Sequence, residues 1–317
     1  MISQLRNLLL VALATTGIMA SAGNDPDFLF KRQIKAHPAP AFEDVAGREY
    51  KFLIDATKAK GTPAEAFKVM WTQVKASATK QGFTVTEKDK NPLKIEMTTK
   101  EYFDTADHAL WKQGYLIRIT TKYKAGIADE KGKVTVKAIF EDPAKTIATP
   151  LEVVGVKSEE ECQDNAGIGK GGQLVGYIEK GASFSVALDD LGKMTLGDFA
   201  KYMPELLKLG LSGDTKLVSN KAYSYRVRPG YVVLPGTEPC GVSMEGWSLK
   251  EDGPIFLYDF SYGYDGFTLY ENPETHMQGE LFMSKVLIGD LAGLALADDG
   301  KWGGSKVRIF LKRPITK

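Results

Sequence analysis

The sequence predicts an α+β fold: a mostly antiparallel sheet of about eight strands curled towards a barrel, with helices packed outside. Three observations lead there. Several short segments alternate with period two, setting lysine and arginine on one face and apolar side chains on the other. Helical stretches are few and do not alternate with strands as a doubly wound parallel sheet requires. No internal repeat at solenoid spacing is present. Periodicity alone leaves two arrangements open: a sandwich whose charged face meets water, or a closed barrel whose charged face lines a cavity.

The elements follow in order. The first residues, MISQLRNLLLVALATTGIMASAGND, carry Arg6, an apolar run Leu8 to Ala14, and the small residues Ala20-Ser21-Ala22. This pattern predicts a secretory signal over 1–22, cleaved after Ala22, and so an exported protein, periplasmic or secreted. A membrane anchor is the other reading; Thr15, Thr16 and Gly17 cut the run short of a span, so no stable membrane insertion is expected after cleavage. Residues 23–44 read as an extended leader, and 45–317 as the folded domain. REYKFLID (Arg48 to Asp55) alternates as a strand. A helix follows from Thr62, where Thr62 and Glu65 form a capping box, Pro63 suits the first turn, and Gly82 stops the run. LKIEMTTKEYF, YLIRITTKY and GKVTVKAIF are strands, whereas SEEECQDNAGIGKGG (158–172) reads as a polar, glycine-rich loop. Thr195 to Leu211 is helical, with Pro204 marking a kink or break. KAYSYRVRP, IFLYDFSYGY, GELFMSKVLI and SKVRIFLK are later strand candidates.

Composition narrows the function. The 317 residues are 43% hydrophobic and 26% charged, an ordinary globular balance. Forty-one basic against 40 acidic side chains leave a net charge of +1, which argues against nucleic acid as a partner. Any anion site therefore depends on local placement of cations. Cys162 and Cys240 do not make a disulfide framework, and sequence leaves their pairing open. His37, His108 and His276 show no metal spacing. GIGKGG (Gly167 to Gly172) follows a polar segment with no helix behind it, so it reads as a flexible loop and not a phosphate loop.

One stretch is more specific. YFDTADHALWKQGYLIRI, with Tyr102, Phe103, Asp104, Thr105, Asp107, Leu110, Gly114, Leu116, Arg118 and Ile119, resembles the middle motif of the CYTH superfamily, the triphosphate tunnel metalloenzymes. EYKFLI resembles the end of that family's ExExK strand, with Glu49 and Lys51 in place; VTVKA resembles its TLK strand, with Lys137. PELLKLGL and VSNKAYSY resemble the later helix and basic strand, with Lys221 for the usual arginine. The resemblance spans about residues 46–262. Two features depart from it: Gly47 stands where the first carboxylate of ExExK belongs, and the late acidic strand retains Asp259 without a glutamate pair. Residues 263–317 exceed the minimal family domain and receive no role.

The resemblance implies a closed, charged tunnel that binds a small phosphate-rich anion, with Mg²⁺ or Mn²⁺ on carboxylate oxygens. It implies Glu49 and Lys51 as catalytic residues. Lys51, Lys100, Arg118, Lys137, Lys221, Arg226 and Arg228 are the phosphate contacts, and Glu49, Glu152, Asp259 and Glu280 the metal ligands, with Glu96 a further acid. Each has the alternative of being a solvated strand charge. Asp104 reads as a cap on the turn that sets the register of Arg118. Two functions follow: a metal-dependent phosphohydrolase acting on inorganic or organic triphosphate, or a catalytically inactive exported tunnel protein that binds a polyanionic phosphate ligand. The missing acids separate them. A structural barrel with merely solvated charges is the third reading.

Overall fold

A computed structural model describes Val45 and residues 47–168, 174–265, 272–296 and 306–311. The expected signal and leader, and the glycine loop beyond Ile168, lie outside the described residues.

Eleven strands form the sheet among these residues: β1 (Gly47–Ile54), β2 (Thr84–Glu87), β3 (Glu96–Asp104), β4 (Tyr115–Lys124), β5 (Ile127–Ala138), β6 (Ser158–Ile168), β7 (Leu174–Ala187), β8 (Val218–Val227), β9 (Gly230–Val233), β10 (Cys240–Ser248) and β11 (Ile255–Asp265). Nine of them close a ring, in the order β1, β6, β7, β5, β4, β3, β8, β10, β11 and back to β1, so the sheet is a barrel and not a sandwich. Every pairing in the ring is antiparallel except β1 with β6. The short strands β9 and β2 continue outward from β10.

Closure settles what the charged faces do. Successive side chains on a strand point to opposite sides, so a closed ring has an outer face that helices cover and an inner face that lines a cavity. Outside, α1 (Pro63–Lys80) buries Phe67, Met70, Trp71 and Val74 in a cluster with Tyr50 and Phe52 of β1 and Tyr258, Phe260 and Tyr262 of β11. The Thr62/Glu65 capping box holds its start, as the sequence predicts. The same cluster takes Phe282 of α5 (Pro273–Phe282) and Met283, Val286 and Leu287 of the π-helical turn that continues it. A second cluster joins Ile117, Ile119, Val134, Val136 and Phe184 to α4 (Leu196–Ala200) and the 3₁₀ turn after Pro204. Pro204 does separate two short helical pieces.

Two stretches expected as strands are helical. GELFMSKVLI belongs to α5 and its π turn, where Phe282, Met283, Val286 and Leu287 are buried at helical spacing. SKVRIFLK holds α6 (Lys306–Leu311). Short mixed apolar runs fit either period, and tertiary packing decided these. Conversely, Ser158–Ile168, expected as a loop, is β6, and Leu174–Ala187, not expected as an element, is β7. β6 looks into a charged interior and its sequence lacks the apolar alternation that marks a half-buried strand, whereas β7 carries that alternation in Ala182, Phe184 and Val186 against Gly181, Ser183 and Ser185. Small connecting helices are α2 (Ala109–Lys112) and α3 (Pro143–Ala148). No disulfide forms: Cys162 lies on β6 and Cys240 on β10, both as thiols.

Candidate functional site

The barrel encloses a cavity of about 240 Å³. Its walls come from nearly every strand: Glu49 and Lys51 of β1, Lys100 and Tyr102 of β3, Arg118 of β4, Lys137 of β5, Glu161 and Gln163 of β6, Tyr177 and Glu179 of β7, Arg226 of β8, and Glu245 and Trp247 of β10. Lys306 and Val307 enter from α6. Six cations and four carboxylates thus share one space.

The turn before Arg118 is built by Asp104. Its carboxylate accepts backbone N–H bonds from Thr105 (2.7 Å), Leu110 (2.8 Å) and Trp111 (3.0 Å), closing the loop that carries α2. Gly114 ends that loop at φ +83°; a Cβ there would meet the Ile139 carbonyl oxygen and the Phe140 ring at 2.7 Å. The chain then enters β4 in a register that pairs Arg118 with Tyr102 on one side and Thr135 on the other.

The acids inside are held by ammonium groups. Lys51 pairs with Glu49 at 2.9 Å and also donates to Asn165. Lys137 bonds Glu179, and Lys100 bonds Glu245, which also accepts from Ser224 and Lys306. Lys306 reaches Asp259 at 2.8 Å as well. Burial would raise the Glu179 carboxyl, but Lys137 and Lys51 override it and bring it down to about 2. Burial likewise opposes ionisation of Glu245, yet Lys100 and Lys306 hold it well below the usual carboxylate range. One ammonium serves two acids at Lys306. Accordingly its own affinity for the proton is raised, while burial and the Glu245 charge push Asp259 up to about 6. Burial, aided by the charges of Lys306 and Arg118, pushes Lys100 down to about 7 despite Glu245.

Other donors are left over. Buried Nε atoms of Arg118 and Arg226 and the Trp247 indole N–H have no hydrogen-bond partner among the described residues. The Arg118 guanidinium makes a long bond, 3.4 Å, to Thr135 and interacts with the Tyr102 hydroxyl, and Arg226 makes a loose ion pair, 3.6 Å, to Glu96. Arg118, Arg226, Tyr102 and Trp247 line the same cavity. Buried polar groups without partners cost free energy, so a cluster of donors around one cavity is a cradle for an acceptor-rich ligand.

Of the expected contacts, the barrel brings together Lys51, Lys100, Arg118, Lys137 and Arg226. Lys221 and Arg228 are exposed, paired instead with Glu101 and Glu96. Lys221 has the wrong parity: Ser224 and Arg226 face inward, and Lys221 lies on the opposite face of β8. Among the expected metal ligands, Glu49 lines the cavity, and Asp259, not itself a lining residue, is buried and paired with the lining Lys306. Glu152 is exposed between α3 and β6. Glu280 lies outside the barrel on α5, where it accepts from Arg48 at 3.0 Å beside His276. Sequence reading missed Glu179, Glu245 and Lys306. Glu179 and Glu245 sit on strands whose inward parity was visible only in retrospect of the register; Lys306 had no local signal at all.

A divalent cation fits this donor set poorly. No group of three or more potential ligands clusters among the described residues. Glu49, Glu179, Glu245 and Asp259 each already hold an ammonium where such an ion would sit. Gly47 cannot supply the missing acid. It adopts φ +119°, and a Cβ would lie 2.7 Å from the Tyr264 carbonyl oxygen and 2.8 Å from the Asp265 carboxylate.

No family model matches the chain, and no curated protein matches it. Solved structures that it is similar to include a Hippeastrum protein described as an adenylyl cyclase with a dominant triphosphatase activity, at 13% identity over 84% of this chain and 95% of that one, TM-score 0.40. A Bacillus halodurans protein described as an adenylate cyclase aligns at 11% identity over 84% of this chain and 100% of that one, TM-score 0.38. A Pyrococcus horikoshii protein aligns at 12% identity over 83% and 98%, TM-score 0.35. At these scores the reading of the site rests on its own residues.

Proposed function

We propose that the barrel interior binds a phosphate-rich anion of the triphosphate class, and does so without a resident metal ion. The observation that carries this is the set of unpartnered donors, Arg118 Nε, Arg226 Nε and Trp247 Nε1, around one cavity that also holds Lys51, Lys100 and Lys137. Phosphoryl oxygens are acceptors only, carry charge, and suit guanidinium groups in fixed directions. The resemblance of the Tyr102–Ile119 stretch to a triphosphate tunnel motif points to the same ligand class.

In the free protein the carboxylates keep the lysines from repelling one another. An incoming polyanion would loosen those pairs and take up the lysine charge itself, while the Nε atoms of Arg118 and Arg226 gain acceptors. This is charge exchange inside a rigid wall, which strands provide well.

The hydrolytic reading has one observation in its favour. Glu245 and Asp259 are cross-strand neighbours, and two carboxylates plus substrate oxygens can hold Mg²⁺. Lys306 lies between them, so the geometry favours the binder. The deciding experiment pairs calorimetry with a phosphate-release assay, both with tripolyphosphate. We expect binding in EDTA, at least tenfold weaker in Arg118→Ala, and no release with Mg²⁺ or Mn²⁺. Release that depends on metal and on Asp259 would establish hydrolysis instead. Neither binding nor release would leave a structural barrel.

Export belongs to the proposal as well, from the pattern of residues 1–22; fractionation of cells producing the full chain checks it. No helix among the described residues is long and apolar enough to cross a membrane.

A further inference from the structure

Lys306 is unlike the other cavity cations. It comes from α6, which is separated in sequence from every strand and packs on the cavity side of the sheet, and its ammonium sits between Glu245 and Asp259. The helix is fastened there: Phe310 is buried against Trp247, Tyr102 and Phe256. Lys306 also lies 5.4 Å from the centroid of the Trp247 ring, which Lys100 approaches from 5.3 Å. The two acids it bridges face each other across β10 and β11 and are 3% and 2% exposed. Two adjacent buried carboxylates need a cation between them, because like charges at that separation cannot both stay ionised unaided. A divalent ion with phosphate oxygens completing its shell is one solution. This chain supplies another, from its own C-terminal helix.

We propose that Lys306 is the tunnel's specificity-determining cation: a tethered ammonium that occupies the Glu245–Asp259 gap, so that the site takes the free polyanion and not its Mg²⁺ or Mn²⁺ complex. This rests on the anion-binding reading for its ligand, but the occupancy of the gap is testable apart from it. Lys306 both neutralises the acid pair and presents its remaining N–H to the cavity. A metal would do the same work with two charges in place of one, and would carry its ligand in as a complex.

The test uses the full chain and two probes, Mn²⁺ alone by electron paramagnetic resonance and tripolyphosphate by calorimetry in EDTA or in Mg²⁺. The wild type should bind no Mn²⁺ and should bind tripolyphosphate no more tightly with Mg²⁺ than with EDTA. Lys306→Met should gain stoichiometric Mn²⁺ binding, lose on the order of ten- to a hundredfold in tripolyphosphate affinity in EDTA, and regain it in Mg²⁺. Lys306→Arg should behave as wild type, and Lys306→Met with Glu245→Gln should lose the gained Mn²⁺. If Lys306→Met does not fold, Lys306→Gln, whose amide still bonds the acids, takes its place in every arm. Mn²⁺ binding by the wild type, or no gain in the variant, overturns the proposal. Should the wild type bind tripolyphosphate in neither condition, the anion reading fails, while the Mn²⁺ arm still decides whether Lys306 holds the gap.

Discussion

Glu179 shows how a charge is kept inside a protein. It is 4% exposed and its partner Lys137 reaches it from the neighbouring strand β5. Replacing it by glutamine leaves Lys137 in a cavity with one acid fewer, and should cost about 3 kcal/mol in chemical denaturation at neutral pH. The pH dependence has a definite sign. The folded carboxyl lies at about 2 against 4.5 for the ordinary group, so its stabilisation is complete above pH 4.5 and is lost as pH falls through 2. Glu179→Gln should therefore flatten the acid limb of the stability curve relative to wild type; an unchanged limb would mean the pair does not hold in solution. Gly47 is the second residue-scale case. Its φ of +119° and the 2.7 Å approach to the Tyr264 carbonyl rule out a simple introduction of an acid at this position. Gly47→Glu should lower the melting temperature by several degrees and confer no Mn²⁺ binding, read by scanning calorimetry and resonance spectra on the same sample.

At the scale of the element, the β3–α2–β4 unit is where local sequence and site meet. Asp104 satisfies three backbone N–H groups at once, and with Gly114 it fixes where β4 begins. Because side chains alternate, a slip of one residue would turn Arg118 outward. Asp104→Ala should cost about 2 kcal/mol, as the loss of a strong cap does, and should weaken tripolyphosphate binding although Asp104 lines no part of the cavity. Normal affinity in a destabilised Asp104→Ala would show that Arg118 keeps its register without the cap. This unit was also the most legible: its turn, its short helix and its charged strand are consecutive in sequence, so local rules suffice to find them. β6 was not legible, since its run of glutamates and polar residues gives no apolar alternation to read; β7 carries a readable signal in Ala182, Phe184 and Val186 that sequence reading missed.

For the whole molecule, closure makes the site. Lysines on open strands would be solvated and worth little. In a ring of nine strands they share about 240 Å³ with acids and unpartnered donors, the arrangement on which the proposed anion binding rests. Binding that depends on such convergence should weaken with ionic strength at the mouth but less so inside, where screening is poor. Tripolyphosphate affinity measured between low and high salt should thus fall less steeply than for a surface patch of equal charge; a steep dependence would place the ligand outside the barrel. The C-terminal helix belongs to this scale too, because Lys306 has meaning only where β10 and β11 have brought Glu245 and Asp259 together.

By itself the sequence determined the α+β class, the capped first helix, the alternating basic strands and the Asp104 turn, because each is written within a short window and obeys a local rule; that Lys51, Lys100, Arg118, Lys137 and Arg226 share a cavity was an expectation from resemblance alone. Only the tertiary structure decided that the sheet closes, that Lys221, Arg228, Glu152 and Glu280 stay out of the cavity, and that Glu179, Glu245 and Lys306 enter it. Those outcomes depend on strand register and on contacts between residues far apart in the chain, and neither is encoded in the periodicity of any one segment.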